Sequence, residues 1–278
     1  MYEFLENTKS LTKPVFDLEV ERTQGQKLRF VRNKVEFPWS LGRGFISDKN
    51  PYLIRILPQV VSGGLLSGDD LYQRLIIRKS ACARLESSGA TLVLPGYKGV
   101  ATTKWEFCLE DNSVLIVDSE PYSLSEQASF EIYSEIKLAP TSVLINTENI
   151  CFSSKEIKKC GSFLSEIKVF SNTGETILID KQKADNSSFN RLSKLIDDQG
   201  AFGTIWIFAK SEFCEKLVDN LPVVDCLMAK SALRGRSGYA IRLLARNGGL
   251  LRNSTKLILS EIELRLAEIK RLQFKVNK

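Results

Sequence analysis

Histidine is absent from the 278 residues of this chain. That gap removes the side chain that most often serves as general base, transition-metal ligand and proton switch near neutral pH. A Ser-His-Asp or Cys-His enzyme is therefore excluded, and any metal handled here must meet carboxylates, thiolates, carbonyls or water. No run of 18 apolar residues occurs, so no segment reads as a membrane-spanning helix. The opening residues, Met1-Tyr2-Glu3-Phe4-Leu5-Glu6, are acidic and lack the apolar stretch of a secretory signal. The six cysteines (Cys82, Cys108, Cys151, Cys160, Cys214 and Cys226) form no C-x-x-C pair, which argues against a zinc knuckle or a redox motif. Together these absences predict reduced, mostly buried thiols in a cytoplasmic protein.

What is present is a chain 43% hydrophobic and 26% charged, enough to bury a sizeable core and stay soluble. The net charge of +6 is dispersed and suits acidic protein partners at least as well as nucleic acid, for which no recognised motif is present. Apolar and charged residues alternate with period two in Phe16–Glu21 and Lys27–Phe30, and Ile167–Phe170 and Thr176–Ile179 are a second pair of strand-like runs, each pair parted by turn residues. These read as hairpins. Lys104–Glu110 places Trp105, Phe107 and Leu109 on one face, and Glu131–Leu138 alternates likewise. Ile205–Phe208 reads as a buried strand and Tyr239–Leu244 as another. Ser188 is placed to cap a short helix carrying Phe189, Leu192, Leu195 and Ile196, and Glu212–Leu221 and Val223–Lys230 read as helical pieces broken by Pro222. A last helix runs from near Gly249 towards Leu272, with Leu251, Ile258, Ile262, Leu266 and Ile269 as its apolar stripe. No long helical pattern separates the early strands, so a parallel βαβ architecture is set aside. The expected fold is mainly β, of the α+β class: a coiled antiparallel β scaffold with a small α-helical C-terminal part. One domain is expected, with a strand-rich body over about residues 12–185 and a mixed α/β part over about 186–278.

One loop stands apart, Ser62-Gly63-Gly64-Leu65-Leu66-Ser67-Gly68-Asp69-Asp70. Gly63, Gly64 and Gly68 permit sharp backbone turns, and Asp69 and Asp70 follow where a strand begins, a place that disfavours carboxylates. The pair fits either turn chemistry or the start of a polar site.

Several segments together resemble the UreD family (also called UreH) of urease accessory proteins. They are Phe37-Pro38-Trp39-Ser40-Leu41-Gly42-Arg43-Gly44, the Gly63–Asp69 loop, Ser88-Gly89-Ala90-Thr91, Ser119-Glu120-Pro121 and Arg234-Gly235-Arg236-Ser237-Gly238-Tyr239-Ala240-Ile241-Arg242-Leu243-Leu244-Ala245. The resemblance implies a β-rich fold, helix-like in its strand winding, and a non-enzymatic scaffold that binds UreF, through it UreG, and the urease apoprotein. A homodimer within that accessory complex is compatible with it; nucleic acid and membrane are not among its partners. It implies no tightly bound cofactor and no tight metal site, only nickel in transit through an internal polar channel.

Carried over residue by residue, the channel positions are Asp69, Thr91, Glu148 (where the family often has aspartate) and Asp180 (where it often has glutamate). Carboxylates and hydroxyls can orient the water of a hydrated nickel ion, whereas imidazole or thiolate would hold it too tightly to release. Plainer readings stand beside these. Asp69 and Asp70 fit turn caps, and Glu148 and Asp180 fit solvated strand ends. Arg234, Arg236 and Tyr239 fit a partner-binding edge, and the arginines equally fit loop solubilisers. Trp39 reads as a packing anchor. The rival functional reading is a carboxylate-based hydrolase on the same coiled scaffold, with paired Asp or Glu as acid and base.

Overall fold

The computed structural model describes residues 13–25, 27–47, 50–96, 99–152, 161–185, 187–188, 191, 194–195, 200–234 and 238–276. Along the chain run β1 (Phe16–Arg22), β2 (Leu28–Val35), β3 (Trp39–Leu41), β4 (Phe45–Ser47), β5 (Asn50–Ile56), β6 (Pro58–Val60) and β7 (Leu65–Leu66). Next come β8 (Asp70–Ile77), β9 (Cys82–Glu86), β10 (Thr91–Leu94), β11 (Ala101–Leu109), β12 (Val114–Asp118), β13 (Tyr122–Leu124), β14 (Ser129–Leu138) and β15 (Val143–Phe152). The C-terminal part holds β16 (Ser162–Ser171), β17 (Thr176–Ala184), β18 (Ala201–Phe208), α1 (Ser211–Val218), β19 (Leu227–Ala232), β20 (Gly238–Ala245) and α2 (Gly248–Val276).

The strands wind as a coil. β8, β9 and β10 lie on three successive faces, and β11, β12 and β13 repeat the circuit above them. β14 and the long β15 make a further turn, β15 covering two faces by pairing with β12 in its first half and β13 in its second. Leu71 pairs with Thr103, Thr103 with Ile132 and Ile132 with Ser165, so one circuit takes roughly thirty residues, the dimensions of a solenoid repeat. The result is a seven-stranded sheet, β17-β16-β14-β11-β8-β1-β2, facing an eleven-stranded one in which β5, β9, β12, β15, β18 and β20 are successive neighbours.

Pairing inside the coil is parallel, which corrects the antiparallel expectation. Parallel neighbours need a crossover of a dozen or more residues, usually a helix. Here strands on the other two faces supply it, so the lack of helical patterns between strands did not exclude parallel pairing. Antiparallel ladders flank the coil: the hairpins β1–β2 and β16–β17 form as expected, and β15, β18, β20 and β19 run antiparallel in turn. A mainly-β coiled scaffold with a C-terminal helix is otherwise what the sequence indicated.

Inward residues stack into a core because register aligns every second side chain across the rungs. Phe16, Leu75, Phe107, Phe130 and Phe163 are all buried in this lumen. Around the entrance to it, Phe16, Trp39 and Trp105 meet edge-to-face at 5.8–6.3 Å, which makes Trp39 a packing residue. A second core lies between the eleven-stranded sheet and the helices, built on Ile145, Ile205, Ile241 and the α2 stripe Leu251, Ile258, Ile262 and Leu266. Ion pairs pin α2 at its side: Asp118 takes Arg84 and Arg252, each at 2.6 Å, and Glu120 takes Arg252 at 2.5 Å.

Val223–Lys230 is not helical; Leu227–Ala232 is an edge strand whose side chains are all exposed. Residues after Pro222 gain a ladder to β20 in place of helical bonds, a tertiary partner that local propensity does not register. Phe189, Leu192, Ile196, Arg236 and Cys160 lie outside the described residues. Cys214 is buried, and Cys82, Cys108, Cys151 and Cys226 are half-buried thiols. No helix among the described residues is long and apolar enough to cross a membrane.

Candidate functional site

The inward side of the coil is not wholly apolar. At the phase where alternation calls for a hydrophobic residue stand Gln73 (β8), Thr103 (β11), Ser134 (β14) and Ser165 (β16) on one sheet, and Asn146 and Glu148 (β15) on the facing one, all buried. Thr103 Oγ1 donates to Gln73 Oε1 at 2.9 Å. Buried polar groups of this kind cost free energy unless paired, so a row of them facing one lumen calls for a ligand or water.

A cavity of about 160 Å³ opens into this lumen. Exposed residues of two loops, Gly63 and Ser88-Gly89-Ala90, stand at its rim, and Trp105, Phe107, Val117 and Glu148 line its buried depth. Ser87, Thr91, Ser119, Tyr122, Ser134, Asn146 and Thr147 contribute polar wall. The rim depends on glycine: a Cβ on Gly64 would lie 2.7 Å from the Leu92 carbonyl oxygen, so only glycine lets this loop close against β10. Gly63 beside it has φ +74°.

Glu148 is the chemically distinctive wall. It is 8% exposed, and its carboxylate accepts one hydrogen bond, from Ser165 Oγ at 2.8 Å. Burial pushes its carboxyl up to about 7; the Ser165 hydroxyl and the Arg242 charge pull the other way, and the Asp180 charge adds to the rise. The neighbouring Tyr122 phenol is likewise pushed up to about 12, by burial first, so it stays neutral. Trp39 Nε1, on the same cavity, and Gln73 Nε2 are buried donors without a hydrogen-bond partner among the described residues. Free donors beside polar acceptors in a cavity of this size suit water.

Beside Glu148 stands Arg242 on β20, whose charge reaches the Glu148 carboxyl. Its guanidinium donates to Thr204 Oγ1 at 3.0 Å and to both oxygens of Asp180 at 3.1–3.2 Å, and lies 5.0 Å over the Trp206 ring. Asp180 also accepts from Gln182 at 3.1 Å.

The structure thus brings Thr91 and Glu148 together in one cavity. Asp180 stands beyond Glu148, spoken for by Arg242. Asp69 is not part of the cavity wall: its Oδ2 accepts from the Leu66 N–H at 2.8 Å within its own turn, and its carbonyl from Thr102 N at 2.7 Å. Of the motif loop, Gly63 and Gly64 line the cavity, whereas Gly68 (φ +99°) shapes the turn and Asp70 begins β8 at an exposed position. Arg234 is exposed, and Tyr239 is half-buried against the helix-side core. Ser134, Ser165 and Thr204 were missed in the sequence; Ser134 and Ser165 are polar residues at the inward phase of alternating strands, whereas Thr204 sits on β18, whose two faces are both buried and show no such phase. Among the described residues no group of three or more Cys, Asp and Glu is placed to hold a metal ion.

Two comparisons set the chain beside known proteins. The family model described as UreD urease accessory protein matches residues 14–273. Urease accessory protein UreD 1 of Bradyrhizobium sp. strain BTAi1 is 27% identical over 247 residues, 84% of each chain. UreD 3 of Bradyrhizobium sp. strain ORS 278 is 25% identical over 253 residues, 86% of each chain. UreD of Mycolicibacterium smegmatis is 24% identical over 248 residues, covering 88% of this chain and 89% of that one.

Proposed function

The chain belongs to the UreD family of urease accessory proteins, and from that premise we propose that it serves urease maturation by passing hydrated nickel through the Glu148 cavity towards apo-urease. It is an accessory protein and not a catalyst. In this reading it works in a complex with UreF, with UreG joined through UreF, and the metal is cargo and not a resident cofactor.

The observation that carries the reading is a buried carboxylate facing a cavity with one neutral hydroxyl as its hydrogen-bond partner among the described residues. A group so placed is held against its own desolvation, and a divalent cation with its water would relieve that cost. Thr91, Ser119, Ser134 and Asn146 on the same wall offer hydroxyl or amide groups, which orient hydration water without displacing it. Thr91 lies towards the rim and Glu148 at depth, with Asp180 beyond it; Asp69 contributes by holding the loop that forms the rim. A glycosidase would need a second free carboxylate across the cavity. The remaining acid of the wall, Glu86, is bound by Arg55 at 2.9 Å and Arg84 at 2.7 Å, which leaves the hydrolase reading without its pair.

The test is co-expression with a urease operon, reading nickel per urease active site by mass spectrometry. Glu148→Gln keeps shape and hydrogen bonding but not charge, and is expected to co-purify with the accessory complex while leaving urease short of nickel. Full nickel content with this variant would refute the route.

A further inference from the structure

β17 is the terminal strand of the seven-stranded sheet and pairs on one side only, with β16. Its other edge leaves main-chain donors and acceptors without a strand partner among the described residues, a template for a further strand. A groove of about 580 Å³ runs beside that edge. Four consecutive residues of β17, Lys181 to Ala184, form one wall, so the strand lies along the groove and not across it. Phe163 and, from the facing sheet, Phe202 and Leu244 supply apolar wall.

The pleat divides β17 by chemistry. Gln182 and Ala184 turn towards the lumen, half-buried and buried, while Lys181 and Lys183 are exposed on the outer face. Arg191 stands on the groove as well. Lys181 is engaged by Glu166 at 3.1 Å, but Lys183 and Arg191 make no ion pair among the described residues. A strand added here would alternate to match: one face on the phenylalanines, the other beside cations. Lysines on an edge also repel a second copy of the same edge, which disfavours self-pairing.

We propose that this seam is the docking site for an extended segment of a partner protein in which apolar and acidic residues alternate. The groove shares no lining residue with the Glu148 cavity, Arg242 and Thr204 being groove wall on the far side of Glu148, and the proposal does not depend on the nickel reading.

The experiment uses the full chain and a fluorescein-labelled peptide of alternating Val and Glu, about seven residues long, a usual strand length. Comparators carry Lys in place of Glu, or the same Val and Glu in two blocks. Anisotropy is expected to show the alternating acidic peptide binding at least about tenfold more tightly than either comparator. It should slow amide exchange in β17, and Lys183→Glu should weaken it about tenfold while Lys183→Arg retains it. Lys183 is exposed, so neither variant disturbs the core; matching thermal midpoints check this. The proposal is overturned if the acidic peptide fails to bind, if all three peptides bind alike, if Lys183→Glu binds as well as the parent, or if protection appears at the β2 or β19 edge instead.

Discussion

Glu148→Gln has a consequence that needs no metal and no partner. In the folded protein the Glu148 carboxyl titrates at about 7, against an ordinary value of 4.5, chiefly because burial disfavours the charge. Between those two values the folded state holds a proton that the unfolded chain has given up. Stability must therefore fall as pH rises through that window and level off above it. That rise corresponds to about 3 kcal/mol, a large part of the stability of an ordinary domain. Glutamine fills the same space, can still bond Ser165 and does not titrate. Urea unfolding at pH 5 and pH 8 should show the parent losing about 3 kcal/mol relative to Glu148→Gln between the two, whatever the other groups contribute, since those are common to both proteins. If the two proteins keep a constant difference, to within about 0.5 kcal/mol, then Glu148 is solvated or paired in solution and the case for a cation-seeking cavity fails with it.

Asp69→Ala removes the acceptor for the Leu66 N–H and should lower stability by about 1 kcal/mol in urea melts, while Asp69→Asn, which keeps an oxygen there, should not. If the Asp69 charge itself served the route, Asn would instead deplete urease nickel as severely as Ala. Asp118→Asn takes the charge from between Arg84 and Arg252, which keep Glu86 and Glu120 as partners, and should cost about 1–3 kcal/mol, loosening α2 from the sheet; unchanged amide exchange in α2 would contradict that.

Much of this protein is legible as a string of residues. Period-two alternation marks β11, β14 and β16 because each has one face in a core, and the Leu251–Leu266 spacing marks the face of α2 that packs on the sheet. The missing histidine bounds the chemistry, and the ordered motifs point to the family. The sense of pairing is not written there: inward and outward residues alternate identically in parallel and antiparallel strands, and the coil repeat shifts in length from turn to turn without a shared motif. Nor is the partner of a carboxylate. Asp69, Glu148 and Asp180 are alike as residues, yet one closes its own turn, one lies buried facing a hydroxyl, and one is held by Arg242. Those differences arise when the winding stacks Glu148 opposite Ser165 and sets Arg242 beside them, because the cost of burying a charge depends on what surrounds it in three dimensions.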